Sequence, residues 1–271
     1  MKLSDARVVL TGASGGIGIA VALCLVNGGA HVLLTGRSSA TLFRLVETVT
    51  ARTTFGYRVS IVAADVTTDA GREALRKAAE AFGANVLINN AGVPGFGALE
   101  SLPAAALQAA VNTNLLAPIQ LTAALLPQLR NQPRSLVINV GSTLGSIGMP
   151  GFSAYGATKA GLRVFSEALR RELIDTTVRI QYLAPRTVKT TFNDSQADAF
   201  NTATGSHADP PDVVAHAVLK MIRTEQAELF LGMFERLAAR MNEVFPRLLD
   251  SGFATHRQAL KAPPSLDQTG K

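Results

Sequence analysis

Two side chains four residues apart, Tyr155 and Lys159 in the run Tyr155-Gly156-Ala157-Thr158-Lys159, carry the clearest chemical signal in this chain. Residues at that spacing share one face of a helix, so the Lys159 ammonium is placed beside the Tyr155 phenol, where it would ease ionisation. A tyrosine hydroxyl titrates at about 10 and is a poor acid or base at neutral pH. A neighbouring cation is expected to bring it nearer the operating range, where proton exchange with a reacting oxygen becomes useful. Ser142 lies thirteen positions upstream. The same spacing also arises in helices as a half-buried ring beside a solvated amine, so the pair gains meaning from the elements around it.

Those elements begin with Arg7-Val8-Val9-Leu10, an apolar strand running straight into Thr11-Gly12-Ala13-Ser14-Gly15-Gly16-Ile17-Gly18. Ile17, Ala20, Val21, Cys24 and Leu25 then repeat at helical spacing, and Asn27-Gly28-Gly29 stops the helix before a second strand, His31-Val32-Leu33-Leu34. Glycines at such a turn permit a tight bend and let backbone N–H groups at a helix N-terminus approach a pyrophosphate. The spacing, Gly-x-x-x-Gly-x-Gly, differs from the commoner Gly-x-Gly-x-x-Gly, and a turn that merely joins strand to helix would use the same residues.

With Asp65 after a third strand, Asn89-Asn90-Ala91-Gly92 after a fourth and Asn114 in a helix, the sequence resembles the short-chain dehydrogenase/reductase family over roughly residues 5 to 232. The resemblance implies a Rossmann-like α/β fold: a doubly wound parallel sheet of about seven strands with helices on both faces. It implies catalytic roles for Asn114, Ser142, Tyr155 and Lys159. In relatives the asparagine holds a water that links the lysine to solvent, and the lysine bonds the nicotinamide ribose. It also assigns cofactor contacts to Gly12, Ser14, Gly16, Ile17 and Gly18 at the first turn, to Asp65 and Val66 at the adenine, to Asn90, Ala91 and Gly92, and to Val188 and Thr190 at the carboxamide. Asp65 reads equally well as a helix N-cap. Asn112, close to Asn114, reads as structural.

The second strand ends in Thr35-Gly36-Arg37-Ser38, without the acid that commonly bonds the ribose hydroxyls of NAD. Arg37 would favour the 2′-phosphate of NADP, with a hydroxyl contact from Ser38, so NADP(H) is the expected cofactor and NAD(H) is not excluded. Against this, Gly15 is not the basic or hydroxyl residue that NADP-preferring relatives often carry, and a surface arginine capping the next helix is the plain alternative. Where relatives usually have Pro-Gly after the sixth strand, this chain has Pro185-Arg186, so that turn must avoid conformations only glycine tolerates. Arg186 is expected to face the cofactor phosphates or an acidic group of the substrate, or else to point outward.

The remaining rhythm predicts helices near 40–51, 69–82 and 103–130, strands Arg58 to Ala63, Asn85 to Ile88, Ser135 to Val140, Arg179 to Leu183 and Glu228 to Leu231, and a helix from Asp212 to Ile222. Pro118 should open the long helix just after Asn114. The polar segment from Phe192 to Pro211 is a candidate substrate lid. An amphipathic helix over about 233–250, with Phe234, Leu237, Met241, Val244, Phe245, Leu248 and Leu249 on its apolar side, could cover the pocket, pack on a second subunit or lie on a membrane; packing is the plainest reading. One domain over 1–253 and a disordered tail over 254–271 complete the expected organisation.

Composition bounds the rest. With 271 residues and 47% apolar content, the chain can bury a substantial core. The net charge of +6 is scattered and lacks interleaved aromatics, which argues against nucleic acid. The four histidines stand isolated, so neither a metal site nor a serine nucleophile is expected. The lone Cys24 reads as a small core residue. No uninterrupted apolar stretch nears the ~20 residues of a membrane span and no signal segment is visible, so a cytoplasmic protein is expected. Its substrate would be a small carbonyl compound or alcohol. The resemblance further implies a homodimer or homotetramer paired through the helices that carry Asn114 and Tyr155, with Leu121, Leu125, Phe165 and Leu169 either supplying contacts or filling the core. A second functional class remains open: a protein that binds NADP(H) as a sensor or scaffold without turnover.

Overall fold

Short apolar segments, each followed by a turn of small and polar residues, bury both of their faces only in a parallel sheet sandwiched by helices. The computed structural model describes residues 1–55 and 58–261, apart from the side chains of Leu248 and Leu249. Its strands are β1 (Arg7–Leu10), β2 (His31–Gly36), β3 (Val59–Ala63), β4 (Val86–Asn89), β5 (Ser135–Val140), β6 (Val178–Ala184) and β7 (Glu228–Phe230). They form one parallel seven-stranded sheet in the order β3-β2-β1-β4-β5-β6-β7. The winding reverses between β1 and β4, and in such sheets a ligand crevice opens beyond the carboxyl ends at that point. The doubly wound fold is therefore as expected from the sequence.

Two apolar layers hold the helices in place. On one face α1 (Gly16–Asn27), α2 (Ser39–Arg52) and α8 (Pro211–Thr224) bury Val21, Leu25, Leu42, Val49, Val218 and Ile222 against Val8, Leu10, Val32 and Leu34. On the other, α3 (Asp69–Phe82), α5 (Ala117–Arg130) and α6 (Ser153–Glu172) bury Leu75, Leu121, Leu125, Leu129 and Leu169 against Val9, Leu33, Leu87 and Val137. Leu121, Leu125 and Leu169 are thus core side chains, and Phe165, half-buried, packs on that core. Cys24 packs, half-buried, against the first layer.

The long helix expected over 103–130 is interrupted. Between α4 (Ala104–Val111) and α5, residues Asn112–Leu116 form a π turn in which the Ala117 N–H reaches back to the Asn112 carbonyl. Pro118 has no N–H to close onto the Asn114 carbonyl four residues earlier, so the α ladder is broken where Asn114 sits. Taken together, the 27 residues Ala104–Arg130 are long and apolar enough to cross a membrane by length and composition, contrary to the reading from sequence. Here its α5 part belongs to the core layer beside β4 and β5, while α4 is largely exposed.

Beyond β6 the chain departs further from its sequence reading. The lid candidate contains a helix, α7 (Ser195–Ala203), capped by the Asp194 carboxylate on the Ala197 N–H and anchored by buried Phe200. The C-terminal region is several helices: α9 (Met233–Val244), α10 (Pro246–Leu249) and α11 (Ala254–Lys261). Residues 254–261, expected as part of a disordered tail, are helical, with the His256 ring meeting those of Phe253 and Phe200 edge to face. Residues 262–271 of that expected tail lie outside the described residues.

Candidate active site

The first turn is built by close backbone approach. Gly12 has φ +62°, and a Cβ there would lie 2.7 Å from the Ala91 Cα. A Cβ on Gly18 would lie 2.3 Å from the Gly12 carbonyl oxygen, so α1 seats directly on the turn. The Thr11 hydroxyl accepts from the Asn90 and Ala91 N–H groups at 2.9 and 3.0 Å, while Asn90 Nδ2 donates back to the Thr11 and Gly12 carbonyls at 3.0 and 3.1 Å. These bonds lock the loop after β4 to the loop after β1. Gly15 caps α1 without a side-chain acceptor and the first turn of α1 holds no acid, so its leading N–H groups face the cleft free to meet an anion.

The cleft above this edge has a volume of about 880 Å³ and is lined by every sequence-predicted site residue except Ser38 and Asn114. Ser38 caps α2, accepting from the Thr41 N–H at 3.3 Å and from the Thr41 hydroxyl at 3.1 Å. It is Ser38, not Arg37, that caps the next helix. Arg37 is exposed at the cleft. Asp65 is not an N-cap either: α3 is capped by Thr68 on the Gly71 N–H. The Asp65 carboxylate accepts from the Thr67 hydroxyl and N–H at 2.6 and 2.9 Å, which with the attraction of Arg37 holds its pKa below the usual carboxylate value.

At the other end of the cleft Ser142, Tyr155 and Lys159 converge. Ser142 leaves β5 and accepts from the Leu144 N–H at 3.1 Å; Tyr155 and Lys159 rise one turn apart on α6. The Lys159 Nζ stands 5.6 Å from the Tyr155 ring centre and donates to the Val140 carbonyl at 3.0 Å. Burial pushes the phenol up to about 12, partly opposed by its hydrogen bond with Ser142, and pushes the Lys159 ammonium down to about 8. The expectation of a lowered tyrosine pKa is therefore reversed in the protein alone: loss of water, which disfavours the charged form, is the largest influence on each group.

Asn114 lies beneath the cleft wall, 1% exposed, with its amide clamped to Val93 by bonds of 2.8 and 3.0 Å. A Cβ on Gly92 would lie 3.2 Å from the Asn114 Oδ1 and 4.0 Å from the Lys159 Nζ, so Gly92 is the point at which asparagine and lysine come together. Asn112 accepts from Gln108, as a structural side chain would, although it also lines the cleft. Val188 and Thr190 lie in the loop after β6, where Thr190 abuts Gly16 and Val188 bridges Asp209.

Arg186 does not reach toward the cleft as a free cation. Its guanidinium grips both oxygens of Asp209 at 2.7 and 2.8 Å and reaches Glu235 of α9 at 3.2 Å. Its backbone avoids positive φ, as the loss of glycine requires. The residue thus ties the lid to α9.

Sequence reasoning missed Tyr182. Its buried hydroxyl accepts from the Ser142 N–H at 3.2 Å and donates to the Ser142 carbonyl at 3.1 Å, and its ring fills the space a Cβ on Gly141 would need. It fixes the Ser142 backbone. Nothing local in Val178–Ala184, which also carries Arg179 and Gln181, marks the hydroxyl as functional. Also missed were Met149 and Phe152 in the cleft wall, where they join Phe192 of the lid candidate; the Phe192 and Phe152 rings lie 6.2 and 6.4 Å from that of Tyr155.

Comparison with known proteins agrees with this geometry. Residues 6–200 match the family model described as short chain dehydrogenase. The chain is 34% identical over 233 residues to ketoacyl reductase HetN from Nostoc sp. strain PCC 7120, covering 84% of this chain and 79% of that one. Among solved structures, a variant of actinorhodin polyketide ketoreductase with NADPH superimposes with TM-score 0.75 at 27% identity, covering 85% of this chain and 97% of the other. The closed form of serine dehydrogenase complexed with NADP+ gives TM-score 0.74 at 29% identity, covering 83% and 94%. With the family model spanning most of its length and the glycine turn and Ser142, Tyr155 and Lys159 gathered on one cleft, the chain belongs to the short-chain dehydrogenase/reductase family of oxidoreductases.

Proposed function

We propose that this chain is an NADP(H)-dependent oxidoreductase that interconverts a carbonyl group and an alcohol, with Tyr155 as the general acid and base. The observation that carries it is the convergence of Ser142, Tyr155 and Lys159 at one end of a cleft whose other end is a glycine cradle. The cradle fits a dinucleotide: side-chain-free approach at Gly12 and uncapped N–H groups suit a pyrophosphate, and the exposed Arg37 suits a 2′-phosphate. Solved structures of similar proteins hold NADPH, NADP+, NADH or NAD, which supports a nicotinamide cofactor; the choice of NADP(H) rests on Arg37.

When bound, the reduced nicotinamide supplies a hydride to the carbonyl carbon. Ser142 donates a hydrogen bond to the carbonyl oxygen and steadies the negative charge that grows there. Tyr155 gives its proton to that oxygen. The resulting phenolate is stabilised by the Lys159 ammonium, and the freed carbonyl of Asn114 offers an acceptor for a water through which Lys159 and Tyr155 regain a proton. Alcohol oxidation runs through the same groups, with Tyr155 taking the proton.

Cofactor consumption over ketones, aldehydes and 3-oxoacyl thioesters, run in parallel with NADPH and NADH, tests this reading. At least one carbonyl class is expected to consume NADPH faster than NADH, with Tyr155→Phe lowering kcat by about 100-fold or more, the range general acid catalysis supplies. Tight NADPH binding without turnover across the panel would point instead to a sensor.

A further inference from the structure

The amphipathic helix α9 is turned inside out. Its polar side faces the body of the protein: Glu243 pairs with Arg163, Arg240 with Glu228 at 3.6 Å, Glu235 with Arg186 at 3.2 Å, and Asn242 donates to the Ser146 carbonyl at 2.8 Å. Of the helix only Ala239 is buried. Its apolar side faces outward, with Met233 90%, Phe234 79%, Leu237 59%, Met241 43% and Val244 65% exposed, followed by Phe245 at 58%. At 100° per residue these positions fall within one stripe about a third of the way round the helix. The stripe is not packed on the body of its own chain, so of the readings from sequence a second subunit and a membrane surface remain.

The charges are sorted in the same way. The carboxylates of Glu235 and Glu243 are spent on inward arginines, whereas Arg236 and Arg247 are exposed and have no acidic partner among the described residues. The outward surface is therefore a large apolar stripe with a cationic border, on a chain of net charge +6. A second copy seated symmetrically on this stripe would bring two arginine borders together without the acids to answer them. An anionic lipid surface answers both parts at once: acyl chains take the aromatic and aliphatic side chains, and headgroup phosphates take the guanidinium groups.

We propose that α9 docks this protein on the surface of an anionic bilayer, with Phe234 and Leu237 inserted and Arg236 and Arg247 at the headgroups. Glu235 lines the cleft, so docking sets the cleft mouth close to the membrane plane. Docking does not depend on the redox chemistry above, and its test reads binding alone.

The full chain is mixed with vesicles of phosphatidylcholine, with and without phosphatidylglycerol, and separated by flotation. Wild type is expected to float with the anionic vesicles and to be partly released by salt. The double variant Phe234→Asp/Leu237→Asp is expected to lose about tenfold or more in partitioning, the effect of placing charge where apolar insertion is needed, while NADPH affinity measured by fluorescence stays unchanged. Arg236→Glu/Arg247→Glu is expected to bind more weakly and with less salt dependence. The proposal is overturned if wild type stays in the lipid-free fraction with anionic vesicles, if the Phe234/Leu237 variant floats as wild type does, or if that variant lowers the native mass in the absence of lipid, which would assign the stripe to a second copy.

Discussion

At the scale of single residues, the two ionisable groups of the site are displaced in opposite directions, and this fixes a pH dependence. Reduction needs a proton on Tyr155, which the phenol keeps up to about 12, and a positive charge on Lys159, which the amine keeps only up to about 8. The alkaline limb of kcat/KM, which reports the free enzyme, is thus expected to fall as pH rises through about 8 and to belong to Lys159. Whatever activity Lys159→Arg retains should stay level through that pH, because a guanidinium does not titrate there; an unmoved limb in that variant would assign it to another group. Stability moves the other way. Between about 8 and the ordinary 10.5, the unfolded chain carries the lysine proton and the folded one does not, so stability rises with pH across that window.

At the scale of elements, the lid is held by an ion pair that stands where the family usually has glycine. Arg186 after β6 joins Asp209 at the end of the lid to Glu235 of α9, and the Val188–Asp209 bridge holds the same junction through backbone bonds. A bidentate pair partly shielded from water is worth about 1 kcal/mol, so Arg186→Ala is expected to raise the substrate KM roughly fivefold with a smaller change in kcat, and to speed proteolytic cleavage between 192 and 211. Unchanged KM and unchanged cleavage would show that the backbone bridge alone holds the lid. The strands were legible because a buried parallel strand leaves a run of apolar residues with a turn at its carboxyl end; Ser135–Val140 falls where the sequence puts it. The tyrosine and lysine were legible because helical spacing alone places them together. Tyr182 was not, since its partner Ser142 is forty residues away and meets it only once β5 and β6 pair. Nor was the orientation of α9: a periodic pattern tells which side is apolar, not which side faces the fold. Ion pairs to Arg163, Arg186 and Glu228, all distant in sequence, decided that.

At the scale of the whole molecule, some of the apolar side chains left outside the core fall into groups that suit a partner. One is the stripe of α9. Another involves the α4, α5 and α6 helices: Val111 at the end of α4 is 44% exposed, Leu116 at the end of the π turn 42%, and Val164 of α6 64%. The π turn between them packs Leu115 closely on Gly161, so α6 and the broken helix lie tight together beneath these side chains. We propose that this face, built from the helices around Asn114 and Tyr155 through which the family resemblance implies pairing, joins copies of the chain into the expected homodimer or homotetramer. A twofold contact repeats each side chain on both partners, so one substitution removes it twice. Val164→Glu is expected to convert a dimer to a monomer in light scattering coupled to size exclusion, at a concentration where wild type stays paired, because two carboxylates would be left without partners in an apolar interface. Because Val164 lies away from the cleft, NADPH binding should survive the change. A wild type that elutes as a monomer, or a variant that remains paired, would show that this face stays in water.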